Sequence, residues 1–225
     1  MGAIMMNTNL FDFYLPKWEY DAGVLCRITS VLVFQKMLKR YYISNAVTYR
    51  ELAKLDFTTH HVDMAEISDP IIMPLLSPNG LDILCDGAQY SRTEKTARIV
   101  DLALAQKYLN VCVNSSNKHV EAKNCSRCSK CLRTMMALES AGALQKFSGV
   151  FDLKQWKRRS FKYKCKQVFL YKSDSFAQDN VDFAQKQGER LPDKLTAAVV
   201  VSCLRLIALP RNFFRKLRAW VRKKL

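Results

Sequence analysis

Four cysteines in the stretch VCVNSSNKHVEAKNCSRCSKCLRTMMALE, Val111 to Glu139, constrain the fold more than any other feature of the chain. Cys112, Cys125, Cys128 and Cys131 follow the pattern C-x12-C-x2-C-x2-C. A Cys-x2-Cys step lets a tight knuckle turn both sulfurs toward one centre. Two overlapping steps supply three ligands from one loop, and Cys112 supplies the fourth. Four thiolates suit a structural zinc ion, tetrahedral and closed to water. With a divalent ion they leave a net charge of about −2, which Lys118, Lys123, Arg127, Lys130 and Arg133 would offset. An iron–sulfur cluster takes similar ligands, His119 can stand in for Cys112, and four unlinked thiols are the plain alternative.

The rest of the chain favours metal over disulfides. The N-terminal residues show no basic segment leading into an apolar one, so no secretory signal is read. The most apolar run, LTAAVVVSCLRLIAL, contains Arg205 and is shorter than the roughly 20 residues that span a bilayer. A cytoplasmic, reducing setting follows, peripheral to the inner face of the membrane if the basic tail described below binds lipid. There, clustered cysteines are metal ligands. Cys26, Cys85, Cys165 and Cys203 are isolated in apolar surroundings and read as small core residues.

Periodicity predicts a helix from Ala22 to Arg40, a short strand in YYISNAVTY, and an extended loop in SDPIIMPLLSPNG, which Pro70, Pro74 and Pro78 interrupt. LDILCDGA reads as a buried strand that breaks at Asp86-Gly87. SRTEKTARIVDLALAQKYL reads as one helix, with Ser91 and Glu94 forming a capping box. NVCV reads as a strand that ends near Cys112. CLRTMMALESAGAL reads as a helix with Leu132, Met135, Met136 and Leu138 on its apolar side. This alternation is that of a parallel α/β unit. Beyond it, Phe161 to Tyr171 alternates like a strand, and LPDKLTAAVVVSCLRLIALP and RNFFRKLRAWVRKKL read as helices.

The run NCSRCSKCLRTMMALE resembles the zinc loop of the 7-cyano-7-deazaguanine synthase branch of the PP-loop ATP pyrophosphatases, the adenine nucleotide alpha hydrolase-like superfamily. It is more similar still to relatives of that enzyme that carry NCGxCxKCLRTM and segments like YYISNAVTY, DPIIMPLLS and LDILCDGAQYSRTEKTARI. The resemblance spans Trp18 to Leu153, with Ser126 where the relatives have glycine. It implies a partial Rossmann-like parallel sheet with a four-cysteine zinc loop, and part of an ATP-dependent ligase or amide-forming system. The superfamily's Ser-Gly-Gly-x-Asp-Ser phosphate loop is missing, and no two glycines are adjacent. ATP would therefore bind only with an N-terminal segment or a partner chain carrying that half. On that reading the chain is inactive by itself.

Two further sets of residues are candidates. Asp86, Arg92 and Lys95 fall where a parallel strand gives way to a helix, the usual ligand edge of open α/β sheets; the plain alternative is a capped, solvated helix start. His60-His61 is followed by Asp63 and Glu66 without another metal-type neighbour and reads as solvated.

The net charge of +16 is concentrated at one end. Residues 1–149 hold 17 Lys/Arg against 14 Asp/Glu, and residues 150–225 hold 19 against 6. We place a boundary near Gly149, between the zinc-bearing half-domain (1–149) and a basic, mainly helical extension (150–225). The extension ends in Arg211, Phe213, Phe214, Arg215, Lys216, Arg218, Trp220, Arg222, Lys223 and Lys224. A basic amphipathic helix with Trp and Phe suits an anionic membrane surface. Nucleic acid and docking on its own domain are the alternatives. The non-catalytic reading is thus a zinc-stabilised module tethered through its tail.

Overall fold

The computed structural model describes residues 5–9, 12, 28–45, 48–53, 64–112 and 124–206. The chain divides into two compact units, Met1–Arg92 and Thr93–Leu225.

In the first unit, β1 (Arg40–Ser44) and β2 (Asp82–Asp86) pair in parallel, with Arg40 opposite Asp82 and Ser44 opposite Asp86. Two strands are marginal on their own, and the pair is backed by helix α1 (Met64–Leu75), which packs on β2. Ile43, Ile83, Met73, Leu81, Ile28 and Val31 form the core between them. β2 stops where Gly87 takes a φ of 81°, a conformation glycine adopts without steric cost. The pairing then runs on through Asn45 N–H to the Asp86 carbonyl, 3.1 Å.

Two expectations fail in this unit. The proline-punctuated segment is helical as far as Leu75, not extended, although Pro70 and Pro74 lie inside α1. Each proline removes one backbone bond, but the fully buried Met73 anchors the helix on the sheet, and that burial outweighs local propensity. The helix expected to run from Ala22 to Arg40 covers 28–32 among its described residues. Lys39 and Arg40 are drawn into the sheet instead, where the Lys39 carbonyl accepts Asp82 N–H at 3.0 Å.

The second unit is helical: α2 (Arg92–Arg98), which starts at the boundary, α3 (Ala103–Tyr108), α4 (Ser129–Ser140), a 3-10 turn (Leu144–Phe147), α5 (Leu153–Leu170), α6 (Ser175–Lys186) and α7 (194–206). α4 buries Leu132, Met135, Met136 and Leu138 as its spacing predicts. It ends at Gly142, φ 68°, where Ala143 N–H reaches back to the Leu138 carbonyl at 2.9 Å. This is a left-handed glycine stop. Asp152, Asp174 and Asp193 accept first-turn N–H groups of α5, α6 and α7, satisfying donors the helices leave open.

The segment expected as one helix after Ser91 is broken into α2 and α3. The break lets Val100, Ala105 and Leu109 all pack on the core that Met135, Phe147 and Trp156 form. The Gln106 amide donates to the freed Val100 carbonyl at 2.8 Å. NVCV is not a strand in its described residues, 110–112. The strand read from Phe161 to Tyr171 is part of α5. Its two-residue alternation misled because Phe161 and Phe169 are exposed, while Trp156, Tyr163 and Gln167 are buried at helical spacing. The compositional boundary near Gly149 falls inside this unit, where Leu144, Phe147, Val150, Phe151 and Trp156 share one core. Among the described residues the fold is therefore mixed α/β and mostly helical, with a two-stranded parallel sheet.

Candidate metal centre

Cys112, Cys125, Cys128 and Cys131 converge: one sulfur from each lies within 4.8 Å of the other three. The Cys128–Cys131, Cys125–Cys131 and Cys112–Cys128 separations are 3.4, 3.8 and 3.9 Å. All four thiols are free, and these distances are far beyond a disulfide bond. Four sulfurs about 2.3 Å from one ion sit about 3.8 Å apart at the corners of a tetrahedron. The observed spacing therefore has the size of a mononuclear site. A polynuclear cluster would interpose irons and sulfides and spread the ligands.

The local fold explains the convergence. Cys128 N–H points at the Cys125 sulfur, 3.3 Å, and Cys131 N–H at the Cys128 sulfur, 3.5 Å. Cys128 is thus the N-cap of α4 with sulfur as the acceptor. Anionic sulfur is favoured at a helix start. Burial opposes ionisation of Cys125, but the Arg127 and Cys128 amides and the neighbouring thiols outweigh it, bringing its thiol down to about 6. Burial and the adjacent Cys128 sulfur push Cys131 well above the usual thiol range.

Two residues outside the expected ligand set hold the cage. Asn124, 5% exposed, accepts Val111 N–H at 2.8 Å, and its amide donates to the carbonyls of Leu109 (2.8 Å) and Val150 (3.2 Å). It thereby straps the segment carrying Cys112 to the knuckle, the task expected of a strand. Ser126 is fully buried, with φ 53°. Its hydroxyl donates to the Asn124 carbonyl at 3.2 Å and accepts Asp152 N–H at 2.8 Å. The signal for both was their place on either side of the first knuckle cysteine. His119, Lys118 and Lys123 lie outside the described residues. Arg133 is turned to the Phe176 ring, 3.8 Å from its centroid.

The other candidates are less concentrated. Asp86 is exposed at the C-terminal end of β2, and Arg92 and Lys95 are half-buried on α2. The first turn of α2 is engaged by the protein itself. Asp179 accepts Thr93 N–H at 3.1 Å and the Thr93 hydroxyl at 2.8 Å. The carboxylate thus holds donors that an anionic ligand would use. An open recess lined by Lys39, Arg40, Gly80 and Asp82 lies at the opposite strand ends from Asp86. His60, His61 and the tail residues Arg211, Phe213, Phe214, Arg215, Lys216, Arg218, Trp220, Arg222, Lys223 and Lys224 lie outside the described residues. Among the described residues, no helix is long and apolar enough to cross a membrane. In comparisons with known proteins, the chain matches no family model, no curated protein and no solved structure.

Proposed function

We propose that the chain is a zinc-binding, non-catalytic module in which a four-cysteine site organises a helical unit for binding a partner. The observation that carries this is the single-ion spacing of the four sulfurs, placed by the α4 cap and the Asn124 strap. All four ligands are cysteines, which leaves no open position for water or substrate, so the ion would be structural. It would neutralise the thiolates and fix Cys112 against the start of α4. The test is metal content and chelation of the purified chain. About one zinc per chain is expected, with loss of helical signal on removal. A metal-free chain with the same helicity would refute the proposal.

The second reading keeps the PP-loop resemblance. On it, the chain is the zinc-bearing half of an ATP-dependent ligase, with the phosphate loop on another chain and Asp86, Arg92 and Lys95 near its ligand. The parallel β1–β2 pair, ending at Asp86-Gly87, favours it. ATP should show no measurable affinity for this chain alone. Micromolar binding by the isolated chain would defeat that division of labour.

A further inference from the structure

We infer that the exposed faces of α5 and α7 form a docking surface for an anionic lipid bilayer. The inference rests on the proposed zinc-organised module, because the knuckle holds Asp152, from which α5 starts. α5 carries seven basic residues and no acidic one. Lys164 turns inward to Glu139 and Glu189. Lys154, Arg158, Lys162 and Lys166 are exposed and follow one another at four-residue spacing, about 6 Å per step along a single ridge. Phe161 and Phe169, 55% and 38% exposed, flank that ridge.

α7 supplies the apolar part. It buries Ala197 and Val201 inward, while Leu195, Val199 and Leu206 are 76%, 55% and 65% exposed. Spaced at i, i+4 and i+11, these three form a stripe on the solvent side. The Arg205 guanidinium of α7 lies 4.9 Å from the centroid of the Phe169 ring of α5, so the two helices meet at their C-terminal ends. Nucleic-acid phosphates would meet the ridge but leave the apolar stripe in water. A bilayer with acidic headgroups satisfies both, taking the cations at its phosphates and the stripe at the acyl boundary.

The test uses the full, zinc-loaded chain with vesicles of phosphatidylcholine, with and without phosphatidylserine. The parent should bind only the vesicles that contain phosphatidylserine. Each cation contributes about fivefold in affinity, so Arg158→Glu with Lys162→Glu should lower binding at least about twentyfold. Leu195→Ser with Leu206→Ser should weaken vesicle binding about tenfold or more and leave binding to a single-stranded oligonucleotide unchanged. Wild-type vesicle binding by either double variant would overturn the proposal. So would loss of binding confined to Arg215→Glu with Lys216→Glu in the tail, or tighter binding to the oligonucleotide than to the vesicles. Zinc content, measured on every variant, separates failure of the metal reading from failure of this surface. Arg158→Gln with Lys162→Gln carries the same test if the charge reversal disturbs the fold.

Discussion

Asp152 donates its backbone N–H to the Ser126 hydroxyl at 2.8 Å, and its side chain caps α5 through Lys154 and Gln155 N–H. One residue thus joins the cysteine knuckle to the first turn of an 18-residue helix. The cysteine cage and the helical core are one construction. What fixes the knuckle also fixes where α5 begins.

Ser126 tests that coupling, because two effects oppose each other there. A left-handed backbone costs a residue with a Cβ about 1–2 kcal/mol, which glycine would recover. Losing the hydroxyl leaves the Asp152 N–H without its acceptor, at a similar cost of about 1–3 kcal/mol. Ser126→Gly should therefore lie within about 1 kcal/mol of the parent, the two terms offsetting. Ser126→Ala keeps the strain and loses the bond, so it should be destabilised by about 1–3 kcal/mol in urea melts. Alanine as stable as serine would mean that the hydroxyl has no role in joining knuckle and helix.

How much of this was legible in the sequence depended on whether the deciding interaction was local. The cysteine spacing, the α4 stripe of Leu132, Met135, Met136 and Leu138, and the break at Gly87 are short-range features, and the structure shows each. Elsewhere distant contacts decided. The burial of Met73 on β2 kept Pro70 and Pro74 in a helix. The alternation from Phe161 to Tyr171 fits a strand until one knows that Trp156 and Tyr163 face the core and Phe161 does not. The strap made by Asn124 has no local signature, because its partners Leu109, Val111 and Val150 are up to 26 residues away.

Removing a ligand should differ from removing its support. Cys128→Ser takes away one sulfur of the cage while leaving a hydroxyl that can still cap α4. It should abolish stoichiometric zinc binding and lower helicity, read by metal analysis and circular dichroism. Asn124→Ala keeps all four sulfurs but frees the segment bearing Cys112. Its zinc affinity should fall about 10–100-fold, the usual effect of losing an outer support. A competitive chelator titration distinguishes the two, and Cys128→Ser with full zinc content would disprove the site.

Lys164 holds an ion cluster between helices. Its ammonium contacts Glu139 at 2.6 Å and also Glu189. Trp156 donates to Glu139 at 2.8 Å, and Ser140 donates to Glu189. The lysine and Glu189 side chains are only 16% and 17% exposed. Lys164→Met should cost about 3–5 kcal/mol, because it leaves two carboxylates without their shared cation. The loss should appear as a lower urea midpoint at unchanged slope. A change below about 1 kcal/mol would mark the cluster as solvated and energetically idle.

Alkaline pH should unfold the helical unit through neighbouring positions on α5. Burial pushes Tyr163 up to about 12 from its ordinary 10.0, against a downward pull from Arg133. For Lys164, burial favours the neutral form, but Glu139 and Glu189 outweigh it and raise the group above 10.5. Both groups hold their protons longer folded than unfolded. Their stabilisation is therefore complete below the unfolded values and is lost as pH rises through the folded ones. Tyr163 alone accounts for about 3 kcal/mol between its unfolded and folded values. Urea melts from pH 9 to 12 should show stability falling from about pH 10 upward, and Tyr163→Phe should flatten that fall. Equal slopes in parent and variant would mean that the tyrosine hydroxyl ionises as freely in the folded chain as in water.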